Sequence, residues 1–469
     1  MTAITPSQPA SDLASRGEWP AGLGSATQPW DVLIVGAGVG GAALALALVS
    51  RFALRVCVID RRGGPGNINR GDSLLPAVTG ALRSWGALPA LLAAGARPVH
   101  KMQVFHPTHG LLLEAPLSVA DAPDLDATEN QTAQPASAPY LVLPHPEIER
   151  ALVHTAEHGR QNRGQAQVRY RCRLLRLLRA SGESGRVCGA VVQGDSGEQT
   201  LHARLVVGAD GASSTLRSLL GLSLPLQPYD HGFYILECAR PAATTGATGY
   251  DDAMRIELSR EGGILVVPCG ADRLGLGVLV RAADQDLFRA GPLDEKLAAI
   301  ARRSPLLHRL GQPGGLVAYP KGAHLYTLHR GHARHYGRDG AVLIGDALHV
   351  TNPTAGQGMT MAIEDAAALA RCVGPVLTRR RADSDAGHAD LDRALGDYQR
   401  ERWPRNDAQI RWSHWLSRFY AWPGAIGDRL HTGIFRFGGS SLGRLVQRRI
   451  WSRVATRPDL TQAAAWSTP

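Results

Sequence analysis

The stretch from Trp30 to Asp60, "WDVLIVGAGVGGAALALALVSRFALRVCVID", limits the possible folds more than any other part of the chain. The apolar run Val32 to Val35 reads as a parallel strand covered on both faces. It stops at Gly36-x-Gly38-x-x-Gly41; a helix-period block follows, and then a second apolar run ending on Asp60. Gly36 permits the turn, Gly38 lets backbone approach a pyrophosphate, and Gly41 lets the helix pack close to the strand, with Gly40 in the same turn. The helix start offers free N–H groups and about half a positive charge to phosphates. Asp60, with Arg61 beside it, falls about 20 residues on, where an acid can accept from ribose hydroxyls. A glycine turn alone is weak evidence. Strand, turn, helix, strand and acid in this order predict a dinucleotide-binding α/β domain.

Two later loops share that logic. Gly208-Ala209-Asp210-Gly211, with Ser214 and Arg217, follows the apolar run of "ARLVV". In "GAVLIGDALHVTNPTAGQGMTMAIEDA", Gly345 and Asp346 stand at the tip of another run, and Pro353, Gly356, Gly358 and Met359 precede a helix-like pattern. Read together as GAGVGG, GADGASSTLR and IGDALHVTNPTAGQGM, the loops resemble those of the class A flavoprotein monooxygenases, the para-hydroxybenzoate hydroxylase family. The resemblance runs from about Asp31 to Arg402.

That resemblance implies FAD as cofactor and NADH or NADPH as reductant. It places Asp346 on the ribityl chain and the backbone from Pro353 to Met359 beside the isoalloxazine. The helix beginning near Gly358 then directs its positive end at the pyrimidine edge, which is anionic in reduced flavin. Asp210 lies on the loop the family uses for both FAD and NAD(P)H, and Arg70, in "NINRGDSLLP", stands where an Arg near the FAD phosphates is common. Two positions depart from the family: His145 replaces an Arg in "LPHPEIERAL", and Thr360 replaces an Asn. The Thr360 departure and "RGDSLLP" are similar to the squalene-epoxidase side of the superfamily.

The implied reaction is hydroxylation of an aromatic or polycyclic small molecule by O2 through a flavin C4a-hydroperoxide. A base near a phenolic substrate would assist. His231, Tyr234, His324 and Tyr326 are the substrate candidates by position, and His349 and Pro353 are the positions nearest the chemistry. The rival reading is an epoxidase or hydroxylase of an isoprenoid or quinone-type lipid. A halogenase fits less well, since Trp412 and Trp415 form W-x-x-W and no W-x-W-x-I-P is present. A non-catalytic flavoprotein is a third class. No metal site is expected.

At 469 residues the chain exceeds what one core supports, so two packed regions are expected. The implied fold is α/β: a Rossmann-like FAD-binding domain with an inserted antiparallel substrate sheet and C-terminal helices. The expected segments are a flexible leader 1–29, FAD-binding parts 30–117, 140–225 and 336–400, a surface loop 118–139, a substrate domain 226–335, and a basic helical region 401–469. Six scattered cysteines, none at metal-ligand spacing, suggest reduced thiols and a cytoplasmic protein. Neither a signal peptide nor a bilayer-spanning block is evident.

Net charge is +10, and it concentrates late. Arg400 to Arg457 holds twelve arginines and no lysine against Glu401, Asp407 and Asp428. No nucleic-acid motif accompanies it, so no nucleic-acid partner is expected. This tail reads as amphipathic helices packed on the FAD domain with a solvated basic face; the alternative is weak contact with a membrane surface.

Overall fold

The computed structural model describes residues 24–66, 73–117, 138–160, 162–180, 185–239, 253–269, 273–304, 307–308, 318–379, 385–422 and 424–443. The first sheet is built as the opening stretch demands. Trp30–Val35 pairs in parallel with Arg55–Ile59 on one side and Gly197–Gly208 on the other. Gln165–Arg169 and Ala341–Leu343 extend it in parallel, and Gly337–Arg338 closes one edge antiparallel. The path is Gly337–Arg338, Ala341–Leu343, Gly197–Gly208, Trp30–Val35, Arg55–Ile59, Gln165–Arg169. Arg173–Arg179 and Val187–Gly194 add an antiparallel flap to Gly197–Gly208.

All six residues of Trp30–Val35 are buried, as is nearly all of the helix Val39–Arg51. An apolar strand covered on both faces is the expected form of a parallel sheet. The helix Gly358–Thr378 packs beside Val39–Arg51 and completes the larger core. A Cβ on Gly41 would stand 1.9 Å from the Gly36 carbonyl oxygen, and one on Gly374 2.2 Å from the Phe52 ring, so small residues set both approaches.

The second sheet runs His349–Val350, Ala318–His332, Gln227–Ala239, Arg273–Val280, Ile264–Pro268, Ala253–Glu257, Lys101–His106, Gly110–Pro116. Its pairs are antiparallel except Ala253–Glu257 with Lys101–His106. The hairpin Lys101–Pro116 therefore belongs to this sheet, although the sequence grouped 30–117 with the first domain. Its residues alternate like those of any half-covered strand, which carries no domain label. A small third sheet joins Ser73–Leu74, Tyr140–Val142 and Arg97–Val99.

A single helix, Asp385–Ala421, crosses the expected boundary at residue 400, and Gly424–Gly439 follows it. Gly424–Gly439 lies on the Gly110–Pro116 strand, so the tail packs on the second sheet. Residues 1–23 of the leader and 118–137 of the surface loop lie outside the described residues. None of the six cysteines forms a disulfide. No described helix is long and apolar enough to cross a membrane.

Candidate cofactor and substrate site

Three loops leave the carboxyl ends of adjacent parallel strands, the edge at which open α/β sheets bind ligands. Backbone hydrogen bonds carry the sheet into them. Gly36 N donates to Ile59 O at 2.7 Å, Ala209 N to Val35 O at 2.7 Å, and Ile344 N to Gly208 O at 2.9 Å. Gly36 has φ of +109°, and a Cβ there would lie 2.3 Å from the Ala209 carbonyl oxygen. Only glycine fits between the first two loops. Arg217 binds the second loop to the third, donating to Ala212 O at 2.7 Å and to Ala347 O at 2.9 Å.

The first loop ends at Gly38, which starts the helix Val39–Arg51 without a side-chain cap or an acid in the first turn. Asp60 closes the loop from beside it, accepting from Ala37 N at 2.8 Å and from Arg62 N at 2.8 Å. Arg61 is exposed, and it is Arg62 that reaches back to Asp60 at 2.9 Å and to Glu149 at 3.0 Å. Glu149 is a buried carboxylate that sequence reasoning missed; it also accepts from Gly66 N at 2.7 Å and pairs with His145 at 3.2 Å. Burial would raise its pKa, but His145, Arg62 and the Gly66 N–H outweigh that and lower it. The available signal was its i+4 spacing from His145. Arg70 lies outside the described residues.

Asp210 is turned inward. It accepts from Ser214 Oγ at 2.5 Å, Thr215 N at 2.7 Å and Leu216 N at 3.1 Å, and so fastens the short helix Thr215–Leu219. Asp346 is turned outward: it is the one exposed residue between Ala341 and His349. Gly345 bends the chain there with φ of +59°.

Next comes Pro353–Ala355, then Gly356 at φ of +62°, then the helix Gly358–Thr378, again with no side-chain cap and no acid in its first turn. Met359 packs against the larger core. The hydroxyl oxygens of Thr351, Thr354 and Thr360, all on this segment, are buried without a hydrogen-bond partner. Buried polar atoms are rarely left so, and a cluster of them beside a bare helix start suits a flat ligand with polar edges. The residues present therefore fit a flavin and its pyrophosphate.

His349 is fully buried and bonds Asp365 at 2.7 Å. It uses only that one ring nitrogen; its Nδ1, like the three threonine hydroxyls, is buried without a hydrogen-bond partner. Asp365 also accepts from Gly345 N at 3.1 Å, Arg402 Nε at 2.8 Å and Asn406 Nδ2 at 3.0 Å. Burial acts to raise the Asp365 pKa, but His349 and Arg402 pull it far below the usual carboxylate range. Arg402 pairs with Glu364 at 3.0 Å as well. Asn406 continues the chain of bonds to the Tyr336 hydroxyl at 3.1 Å, and His332 meets that hydroxyl at 2.8 Å. Burial and nearby His349 lower the His332 pKa to about 4. This network locks the third loop and the Gly358–Thr378 helix to the long helix Asp385–Ala421.

The second sheet presents an aromatic face beside the third loop. Phe233, Ile235 and Leu328 cluster with Tyr229 and Tyr326 on one face, and His324 meets Tyr326 edge to face with ring centres 4.7 Å apart. Asn352 ties this face to the third loop, donating to the Tyr229 hydroxyl at 2.9 Å and to Ser413 O at 3.0 Å. Tyr234, one residue out of phase, lies on the other face against Phe288. His231 is buried with both ring nitrogens engaged, by Asp230 at 2.8 Å and Ser417 at 2.7 Å. Of the four substrate candidates, the structure brings His324 and Tyr326 together and sets Tyr234 on the other face, while His231 meets Tyr229 edge to face with ring centres 5.1 Å apart. No described cluster of His, Cys, Asp or Glu could hold a metal ion.

Residues 29–413 match the profile of the family described as "FAD binding domain". The 6-methylpretetramide 4-monooxygenase of Streptomyces rimosus is 28% identical over 357 residues, covering 75% of this chain and 76% of that one. A kynurenine 3-monooxygenase of Xanthomonas campestris pv. campestris is 27% identical over 434 residues, covering 87% and 82%. Among solved structures, Pseudomonas aeruginosa PqsL in complex with 2-aminobenzoylacetate superposes with a TM-score of 0.66 at 25% identity, covering 84% of this chain and 97% of that one. The p-nitrophenol 4-monooxygenase PnpA of Pseudomonas putida DLL-E4 shares the fold with a TM-score of 0.71 at 18% identity, covering 93% and 99%.

Proposed function

The chain belongs to the FAD binding domain family of FAD-dependent monooxygenases, and from that premise we propose that it hydroxylates an aromatic or polycyclic small molecule at the expense of NADH or NADPH and O2. The observation that carries this reading is the trio of orphaned hydroxyls, Thr351, Thr354 and Thr360, set at a bare helix start and beside an aromatic face. Bound FAD would supply the redox chemistry that passes electrons from the nicotinamide to dioxygen.

The chain's own part is to bind, orient and exclude water. The uncapped start of Val39–Arg51 is suited to the pyrophosphate, Asp60 to a ribose, and outward-facing Asp346 to the ribityl hydroxyls. The start of Gly358–Thr378 offers its partial positive charge to the edge that becomes anionic on reduction, with Gly356 keeping a side chain off the ring plane. Phe233, Ile235 and Tyr326 would give the substrate ring an apolar seat, and the Tyr326 hydroxyl or the His324 ring a hydrogen bond to a phenolic oxygen. His349 acts through Asp365, by fixing Gly345 and hence the turn that presents Asp346. For Arg70 and Asp210 the family resemblance supports roles toward the phosphates and the nicotinamide.

The experiment is steady-state oxygen uptake by the purified yellow protein with NADH or NADPH, with and without candidate aromatics. Uptake that rises with an aromatic and yields a hydroxylated product supports the reading. Flavin-bound protein that consumes no oxygen with either nicotinamide and any ring overturns it. The rival, oxidation of an isoprenoid or quinone-type lipid, is favoured by the exposed apolar surface at the C-terminal helices.

A further inference from the structure

Twelve large apolar side chains are exposed among the described residues, and eight fall between residues 403 and 442. They are not scattered. Ile426, Leu430, Ile434 and Phe437 follow one another at steps of four, four and three along the helix Gly424–Gly439, which places them within roughly a quarter of its circumference. Ile426 is 73% exposed. The opposite face, Gly427, His431 and Gly438, is buried, and Phe435 packs on the second sheet. An amphipathic helix on a globular protein normally turns its apolar stripe inward. Here the stripe faces out.

The surroundings extend the patch. Leu442 follows at 61% exposure, and Leu111, on the strand beneath the helix, is half exposed. Trp415 and Trp422, each about half exposed, flank it from the end of the long helix, with Trp415 stacked between Trp412 and Phe419. Arg418, Arg429 and Arg436 are exposed around it. The expected solvated basic face is thus an apolar one with a basic rim.

We propose that this surface seats the protein on an anionic membrane, with the Gly424–Gly439 helix lying in the plane of the interface. Apolar side chains at one depth, tryptophans at the edges and arginines beside them are what an interfacial helix requires. No described helix is long and apolar enough to cross a bilayer, and the proposed contact is one that lies on the membrane. Charge selects this occupant over a second copy of the chain. A second copy docked on the same face would bring together two helices that each carry Arg429 and Arg436, with Asp428 already paired to His106 and Arg260, so like charge would gather across the interface. Beyond the described residues the sequence adds Arg444, Arg448, Arg449, Arg453 and Arg457 with no acid before Asp459, a charge that favours an anionic surface. Each basic residue near such a surface strengthens binding about fivefold. The inference stands on the surface alone and does not depend on which substrate is hydroxylated.

The test is co-sedimentation of the full-length, FAD-loaded protein with phosphatidylglycerol-containing vesicles and with pure phosphatidylcholine vesicles. The expected result is binding to the anionic vesicles that weakens several-fold as salt rises, because exposed charges are screened. The triple variant Ile426→Ser, Leu430→Ser, Ile434→Ser should bind at least about tenfold more weakly. The pair Arg429→Glu, Arg436→Glu should lose binding to anionic vesicles at low salt. Both variants should keep their flavin and their NAD(P)H oxidation rate, which separates this test from that of the proposed function. Wild-type protein that stays in the supernatant with both vesicle types overturns the proposal, as does a serine variant that binds like wild type. Sedimentation velocity showing a wild-type dimer that the serine variant breaks, with no vesicle binding, assigns the patch to a second copy and also overturns it.

Discussion

The parallel sheet and the antiparallel sheet contribute to the site in opposite ways. At the carboxyl edge of the parallel sheet the ligand would meet backbone: glycine turns, two uncapped helix starts and one outward carboxylate. The antiparallel sheet offers a face of side chains, Phe233, Ile235, Tyr326 and Leu328. The first half is fixed by what a pyrophosphate and a flat ring demand. The second is fixed only by being apolar and alternating, so its details are free to follow the substrate. The buried network around Asp365 sits between them and holds the third loop in place.

Breaking that network should have the largest effect. Arg402→Met leaves Asp365 and Glu364 buried without their cation, a change that typically costs about 3–5 kcal/mol. Chemical denaturation should show that loss, together with a protein that purifies largely without flavin. An Arg402→Met protein of wild-type stability would remove the network from the account.

Asp346→Ala tests the backbone-and-carboxylate half alone. The residue is exposed, so the fold should survive. One hydrogen bond to a charged group contributes about 1.5–3 kcal/mol, so FAD affinity should fall roughly tenfold to a hundredfold in a flavin titration. Unchanged affinity would contradict the ribityl assignment.

A pH effect of about 2 kcal/mol comes next. His332 has a folded pKa of about 4, below its usual value near 6.5, so the unfolded chain binds the extra proton first. Stability should be full above pH 6.5 and fall as the pH drops through 6.5 toward 4, with Asp365 adding its own loss only below about pH 4. Denaturation at pH 7 and pH 5 should differ by about 2 kcal/mol in wild type and by clearly less in His332→Gln. Equal pH slopes in the two proteins would show that His332 is not the group responsible.

The smallest effects should sort the two faces of the second sheet. Tyr326→Phe should raise KM for a phenolic substrate several-fold with FAD retained, whereas Tyr234→Phe, buried against Phe288 on the far face, should leave KM unchanged. The reverse pattern would assign the wrong face to the substrate.

These contrasts also explain what the sequence made legible. Gly36, Gly41 and Gly345 could be read because each occupies a place where a Cβ or an ordinary φ does not fit, and such constraints leave a fixed spacing. Asp346 is conspicuous because it interrupts an apolar run, and the fold leaves it exposed. The bond that holds His349 to Asp365 joins positions 16 residues apart and leaves no trace in a sequence. Arg62 and Glu149 were missed because their pairing joins positions 87 residues apart. Tyr234 and Tyr326 looked equivalent; only the register, in which Phe233 faces Tyr326 and Tyr234 faces Leu325, separates them. The Lys101–Pro116 hairpin joined the wrong sheet for the same reason: alternation gives a strand but not its neighbour.

The central claim is that three loops converge on one FAD, which this chain reduces with a nicotinamide. Its most direct measurement is anaerobic mixing of the purified protein with NADH or NADPH, followed in the flavin absorbance, with the released cofactor identified afterwards. The account predicts one FAD per chain and complete bleaching by at least one of the two nicotinamides, faster when an aromatic ligand is present. Protein that carries no FAD, or FAD that both nicotinamides leave oxidised with and without an aromatic, would contradict it.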